Sequence, residues 1–384
     1  MFPEARLDVA LTVQSGVVAQ VKVHSTRLVQ ASRLFAGRRP DEVTQLLPTI
    51  FALCGTAQVL AGLGAMEQAA GLGTPQRHAR QILLLAETIG EHGLGLARDW
   101  PALVGAAPDL PAARRIKTAM VSVRAALYPN GDWHRPSGGT LTPQHDRITA
   151  AIAEVRAALT ELLGAEVESI LTDATSFHAW IATARTPAAR LLAQLQDPAL
   201  AGFGRGPFLP MPDQGPADLP AQMQADHDGA YVARPHSGGR IYETGPLART
   251  AWHPVVAELM AEHGPGLLAR LTARLVEVVS CLQEMTELMQ DLTAAHSLAP
   301  VLGDGMGVGL VEAARGLLAH RVELEGGKVK RYQILAPTEW NFHPEGPLVR
   351  GLKGAPDHDL HHRAALLIHA LDPCVACHVT VDHA

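Results

Sequence analysis

Apolar and polar residues alternate over residues 6–24: Leu7, Val9, Leu11 and Val13, the turn Gln14-Ser15-Gly16, then Val17, Ala19, Val21 and Val23. A period of two around a turn predicts a β-hairpin with one buried face. From Arg27 the pattern becomes helical, and Pro40-Asp41-Glu42 supplies a helix start with acids in its first turn. Residues 49–70, small and apolar around Leu53-Cys54-Gly55-Thr56-Ala57-Gln58, predict a helix packed closely on all sides. Further helices are expected over 76–98, 112–127, 143–163 and 167–198. Residues 202–245 are rich in Gly, Pro and Asp and predict a long irregular excursion. Helical spacing is clearest over 265–292, where Leu268, Leu271, Leu275, Val278, Leu282 and Met285 recur. Cys281 rides on that helix as a small core residue. Gly303-Asp304-Gly305-Met306-Gly307-Val308-Gly309 lacks the Lys-Ser/Thr of a phosphate loop, so it is expected to be a flexible approach to the next strand. Residues 317–334 predict a second hairpin around Gly326-Gly327, and a last helix over 359–370 delivers the chain to Asp372. The expected fold is α+β and predominantly helical: one domain over 1–384, with a helical core over 41–198 and two hairpins.

Composition narrows the function. A chain of 384 residues, 47% apolar and 18% charged, can bury a large core. Its net charge of −6, with Lys and Arg dispersed, argues against nucleic acid and anionic membrane as partners. Met1-Phe2-Pro3-Glu4-Ala5-Arg6 has no basic region followed by an apolar core, so no signal peptide is expected. Ile50 to Met66 comes closest to a membrane span and is interrupted by Thr56 and Gln58. Four cysteines in so long a chain fit reduced thiols in a cytoplasm better than a disulfide framework.

Two of those cysteines stand in Asp372-Pro373-Cys374-Val375-Ala376-Cys377. A C-x-x-C turn lets two thiolates converge on one ion, as half a zinc site, a redox pair, or ligands of a softer metal. Zinc asks for a second such pair, which the chain lacks, and a redox motif asks for a βαβ context. A soft-metal centre needs a partner thiolate upstream. Taken alone, Cys54 reads as packing, Arg315 as an ordinary ion-pair residue and Thr338 as a turn residue. His358, His361, His362, His369, His378 and His383 are irregularly spaced and read as a solvated face.

Five stretches together resemble the large subunits of nickel–iron hydrogenases. Asp372-Pro373-Cys374-x-x-Cys377 is similar to their closing motif, and Glu312-Ala313-Ala314-Arg315-Gly316-x-Leu318-x-His320 to their E-A-P-R-G-x-L-x-H. Pro337-Thr338-x-Trp340-Asn341 is similar to P-S/T-x-W-N, Gly245-Pro246-Leu247-Ala248-Arg249 to G-P-L-A-R, and Cys54-Gly55-Thr56-Ala57-Gln58 to C-x-T-A-H. The resemblance covers nearly the whole chain, in order. It implies the hydrogenase large-subunit fold.

The departures are selective. In catalytic members two C-x-x-C pairs supply four thiolates, two bridging nickel and iron and two on nickel alone. Here the register that keeps Thr56-Ala57 in step puts Cys54 at the second, bridging position and Phe51 where the first cysteine belongs. The resemblance then makes Cys377 the other bridging thiolate and Cys374 a nickel-only one. A second register, starting the motif at Cys54, would leave Ala57 in place of a ligand. The third residue after Cys377 is Thr380 rather than His or Arg, and only seven residues follow that cysteine, so no cleavable extension is expected. Phe2-Pro3-Glu4-Ala5-Arg6-Leu7 replaces the family's R-x-E-G-H. Losing one terminal thiolate spoils a four-sulfur nickel site and leaves an iron site usable. Arg315 and Thr338 match the residues that hydrogen-bond the iron's cyanides in the family. The pattern resembles the HupK/HoxV-type hydrogenase expression/formation proteins. It implies a non-catalytic scaffold that transiently carries Fe(CN)2(CO), with Cys54, Cys374 and Cys377 as metal ligands and nickel not expected. The implied partners are maturation chaperones of the HypC/HypD type and the apo hydrogenase large subunit. The alternatives are a divergent hydrogenase with an altered nickel site, and a metal-free relative that only grips chaperones.

Overall fold

The computed structural model describes residues 5–27, 29–296 and 303–384. Strands β1 (Arg6–Gln14) and β2 (Val17–Ser25) form the expected antiparallel hairpin, and Leu7, Val9, Leu11 and Val13 are buried on one face. A third strand, β6 (Ala376–His383), pairs in parallel with the other edge of β1, so the order is β2-β1-β6. The C-terminal motif therefore runs straight into a strand that the sequence reading did not foresee.

Helix α1 (Pro40–Ile50) begins as expected, with Glu42 accepting from the backbone N–H of Arg39 at 2.8 Å. The single helix expected over 49–70 does not form. The chain breaks at residues 51–54 and turns by 104° before helix α2 (Gly55–Ala69). Cys54 thus stands just ahead of α2, not within it. Helix α3 (Arg77–Leu94) packs beside it.

The glycine-rich run at 303–309 is a correction. From Gly305 it forms strand β3 (Gly305–Ala313), which with β4 (Gly316–Glu325) and β5 (Lys328–Leu335) makes a three-stranded antiparallel sheet where only a hairpin was expected. Its glycines are there for close approach. A Cβ on Gly307 would stand 2.1 Å from the Ala65 carbonyl oxygen, and one on Gly309 2.0 Å from that of Ala61. The strand therefore lies almost directly on the backbone of α2.

Helices Leu110–Leu127, His145–Leu163 and Leu267–Leu288 follow the predicted spacing. The helix expected over 167–198 is instead divided into Val167–Ile170, Ala174–Thr183 and Pro187–Gln194. Its breaks carry their own chemistry: Asp173 accepts from Ser176 N–H at 2.7 Å, and Thr186 caps a helix that opens on Pro187. The 202–245 excursion contains only short helices, Leu219–Ala225 and Ala230–Ala233. It is held down by a small apolar cluster in which Met211, Leu219 and Met223 meet Leu317, Leu335 and Trp340. The last helix, Leu360–Leu371, ends at Asp372, whose φ of +51° turns the chain back toward the sheets. Among the described residues the chain is thus mostly helical with two three-stranded sheets.

Candidate metal centre

Three loop junctions converge on one cavity of about 560 Å³. The first is the break before α2, which carries Phe51 and Cys54. The second is the β3–β4 turn with Arg315. The third joins the short helix Pro337–Asn341, which carries Thr338, to Cys374 beyond the last helix. The motif residues account for how these junctions are held. Leu317 N–H donates to Thr244 Oγ1 at 2.7 Å, and a Cβ on Gly316 would stand 2.3 Å from that same oxygen. Arg249 donates to Glu312 at 2.5 Å, to Glu277 at 2.5 and 2.9 Å, and to the Ala314 carbonyl at 3.2 Å. Two sequence motifs are thereby locked to each other beside Arg315.

Thr338 Oγ1 lies 3.2 Å from Cys374 Sγ and is also approached by the Cys374 N–H at 3.5 Å. Arg315 pairs through Nη1 with Glu91 at 3.2 Å and through its buried Nε with Asp372 at 3.5 Å, the latter an ion pair without a formed hydrogen bond. At the start of α2, Glu87 accepts from the N–H groups of Thr56 and Ala57 at 2.7 and 3.0 Å. Gln58 Nε2 donates to Cys54 Sγ at 3.5 Å. Behind Gln58 runs a buried chain: His320 Nε2 lies 2.9 Å from Gln58 Oε1, and His320 Nδ1 lies 2.7 Å from the Tyr332 hydroxyl. Burial pushes the His320 imidazole down to about 3, so the ring is neutral. It accepts from Tyr332 and donates to Gln58, which leaves the Gln58 amide to donate to the thiol.

Burial, reinforced by Cys374 and Glu87, pushes the Cys54 thiol up to about 12, against the opposing effects of Gln58 and Arg315. A soft cation entering here must displace that proton. Thiols with guanidinium and hydroxyl donors around them suit a low-valent metal bearing small anionic ligands.

Four of the sequence-predicted site residues, Cys54, Cys374, Arg315 and Thr338, line this cavity, and Cys377 does not. Cys377 is paired opposite Leu7 on β6 and packs half-buried against the core with Val379 and Val381. Burial and Asp8 push its thiol up to about 11. Among the described residues, no three His, Cys, Asp or Glu side chains stand close enough together to hold a metal ion. Phe51 lines the cavity with Cys54, whereas Ala57 is fully buried and lies off it. Cys281 is buried in the long helix, and the tail histidines 358, 361, 362, 369, 378 and 383 are exposed. Residues Phe2 to Glu4, part of the departure from R-x-E-G-H, lie outside the described residues. Sequence reasoning missed Arg27, Glu87, Glu91 and Glu339, which also line the cavity; spacing along the chain singles out none of them.

Residues 208–380 match the nickel-dependent hydrogenase family. Over 389 residues the chain is 32% identical to the hydrogenase expression/formation protein HupK of Rhizobium leguminosarum bv. viciae, covering 98% of this chain and 97% of that protein. The chain belongs to the nickel–iron hydrogenase large-subunit family. It is also 29% identical to the hydrogenase expression/formation protein HoxV of Cupriavidus necator, over 95% of this chain and 93% of that protein. Similarity to the hydrogenase-2 large chain of Escherichia coli K12 is 37% but spans only 42% of this chain and 36% of that one. In fold, it superposes on the Ni-Fe-Se hydrogenase of D. vulgaris Hildenborough with a TM-score of 0.70 at 20% identity, over 94% of each chain. Family membership makes Phe51 the informative residue: an aromatic ring forms part of the wall where the preferred register expects a thiolate.

Proposed function

We propose that the protein is a non-catalytic, cytoplasmic scaffold that carries an Fe(CN)2(CO) group during assembly of a nickel–iron hydrogenase large subunit. The observation that carries this reading is the composition of this cavity: two thiols, Cys54 and Cys374, beside Arg315 and Thr338, with Phe51 also on its wall. The register that keeps Thr56-Ala57 in step would put another thiolate at Phe51. Two soft donors suffice for a low-spin iron that already holds three strong-field ligands, whereas a nickel site of this family's kind wants four sulfurs. Arg315 and Thr338 offer hydrogen bonds to cyanide nitrogens. Homology to hydrogenase expression/formation proteins supports a place among maturation proteins. The group is cargo, received from chaperones of the HypC/HypD type and released to the apo large subunit. Exposed Leu34, Ile50 and Leu53 also line the cavity, so it reaches the surface through an apolar lip suited to a protein partner.

Infrared spectroscopy and metal analysis of protein purified anaerobically with the maturation machinery test the proposal. CO and CN stretches with iron and little nickel are expected. Stoichiometric nickel with hydrogen uptake would establish a divergent hydrogenase instead.

A further inference from the structure

Among the described residues two guanidiniums line the cavity, Arg315 and Arg27, and Arg27 lies outside the five motif stretches. It stands two residues beyond the end of β2, and its position is set by the contacts at the open end of the hairpin. Thr26 N–H donates to the Arg6 carbonyl at 2.9 Å, and Arg27 N–H to Ser25 Oγ at 3.2 Å. Arg6 in turn is the β1 residue paired with Ala376 of β6. The N-terminal sheet thus brings Arg27 and the C-terminal cysteine motif to the same place, although they are separated by nearly the whole chain.

A guanidinium carries five N–H donors. The charged partner of Arg27 is Glu339, whose Oε1 lies 3.0 Å from Nη1, but Nη1 is buried without an acceptor aligned to receive its hydrogen bond. Arg315, on the same cavity, presents a second such atom, its buried Nε, which faces Asp372 Oδ2 at 3.5 Å without forming a hydrogen bond to it. Each donor has a carboxylate at ion-pair distance but no aligned hydrogen bond, and buried N–H groups in that state are uncommon. Two of them beside two thiols, on a cavity that Glu87, Glu91 and Glu339 also line, leave donor capacity for a small anionic ligand. The thiolates alone do not account for it, because the hydrogen-bonding contacts of Cys54 and Cys374 are with Gln58 and Thr338. We propose that Arg27 is a second guanidinium holder of the cargo, donating to a small anionic ligand on the metal as Arg315 does, so that the two arginines grip the group's ligands while the thiols hold its metal. This rests on the scaffold reading for the identity of the cargo, but not for the anion site itself.

The test uses the full-length protein and two probes. The first is the infrared spectrum of anaerobically purified, iron-loaded protein. Arg27→Lys, which keeps the charge but loses the planar fork, is expected to retain iron with shifted CN bands, and Arg27→Gln to lose at least fivefold in loading. Glu339→Gln frees the guanidinium from its ion pair and is expected to load as well as the unmodified protein. The second probe is thiocyanate added to metal-free protein, whose C≡N stretch reports an anion in the cavity. Arg27→Gln is expected to weaken its binding tenfold or more. Absence of CO and CN bands from the unmodified protein would overturn the scaffold reading and leave thiocyanate to decide on Arg27. Unshifted CN bands in Arg27→Lys with full loading in Arg27→Gln, thiocyanate binding that ignores residue 27 or never occurs, or equal loss in Glu339→Gln would each overturn the role of Arg27.

Discussion

At the scale of single residues, the structure separates three thiols that spacing and resemblance group together. Cys54 and Cys374 share the cavity, while Cys377 is turned into the β1–β6 face by the pleat of the strand. Cys54→Ser and Cys374→Ser are therefore each expected to remove most of the CO and CN infrared bands, because oxygen is a poorer match than thiolate for this iron. Cys377→Ser should retain more than half of the signal. Equal loss at Cys377 would restore the ligand set that the resemblance implies and show that the first pairs of β6 open on loading. Cys281→Ser, buried in the long helix, should leave the bands untouched.

At the scale of elements, the contact between β3 and α2 positions both the Cys54 junction and the Arg315 turn. It is a backbone-on-backbone contact that any side chain disrupts. Gly307→Ala would put a Cβ 2.1 Å from the Ala65 carbonyl and 2.5 Å from the Ala69 nitrogen. Overpacking of this kind costs about 1–3 kcal/mol, occasionally more, and thermal unfolding should show the loss. Gly73→Ala, where the added carbon meets nothing within 4 Å, is the matched control and should be close to neutral. A neutral Gly307→Ala would mean that β3 can lift from α2 without cost. The glycine-rich run at 303–309 differs from its expected form for the same reason. Glycines have no periodicity of their own, and whether such a run becomes a strand depends on which backbone it touches.

At the scale of the whole molecule, two buried polar groups make the fold sensitive to acid. Burial holds the His320 imidazole at about 3, so the native state refuses a proton that the unfolded chain accepts below about 6.5. Against burial, Arg249 and His92 hold the Glu277 carboxyl down to about 2, so the native state again binds fewer protons than the unfolded one below about 4.5. Both signs are the same: stability is full above pH 6.5, declines first through His320 and then, below 4.5, through Glu277 as well. Each group contributes on the order of 3–5 kcal/mol at full effect. Urea midpoints measured from pH 7 to 4 should fall, and Glu277→Gln should flatten the lower part of the curve; a flat profile in the unmodified protein would contradict the burial of both groups. Partner transfer belongs to this scale too. Leu53 is 48% exposed on the cavity lip, so Leu53→Glu should leave the melting temperature unchanged while reducing iron transfer to the apo large subunit. Unimpaired transfer would place the partner elsewhere.

Much of the molecule is set by local pattern. The period of two in Leu7, Val9, Leu11 and Val13, the helical spacing over Leu267–Leu288 and the Pro40-Asp41-Glu42 start each specify an element through neighbours close in sequence. The cysteine motif and the four stretches that accompany it are likewise legible, since identity and order suffice to mark a family. Tertiary structure alone decided the rest. The half-polar alternation of Ala376–His383 becomes a strand because the free edge of β1 is there to pair with it, some 370 residues away along the chain. Arg27 has no motif and acquires its meaning only when the open end of the hairpin, paired with β6, lays it beside the thiols. Which cysteines face one cavity depends on the turn at Asp372 and the pleat of β6, and these follow from pairing and packing between distant segments that no spacing along the chain encodes.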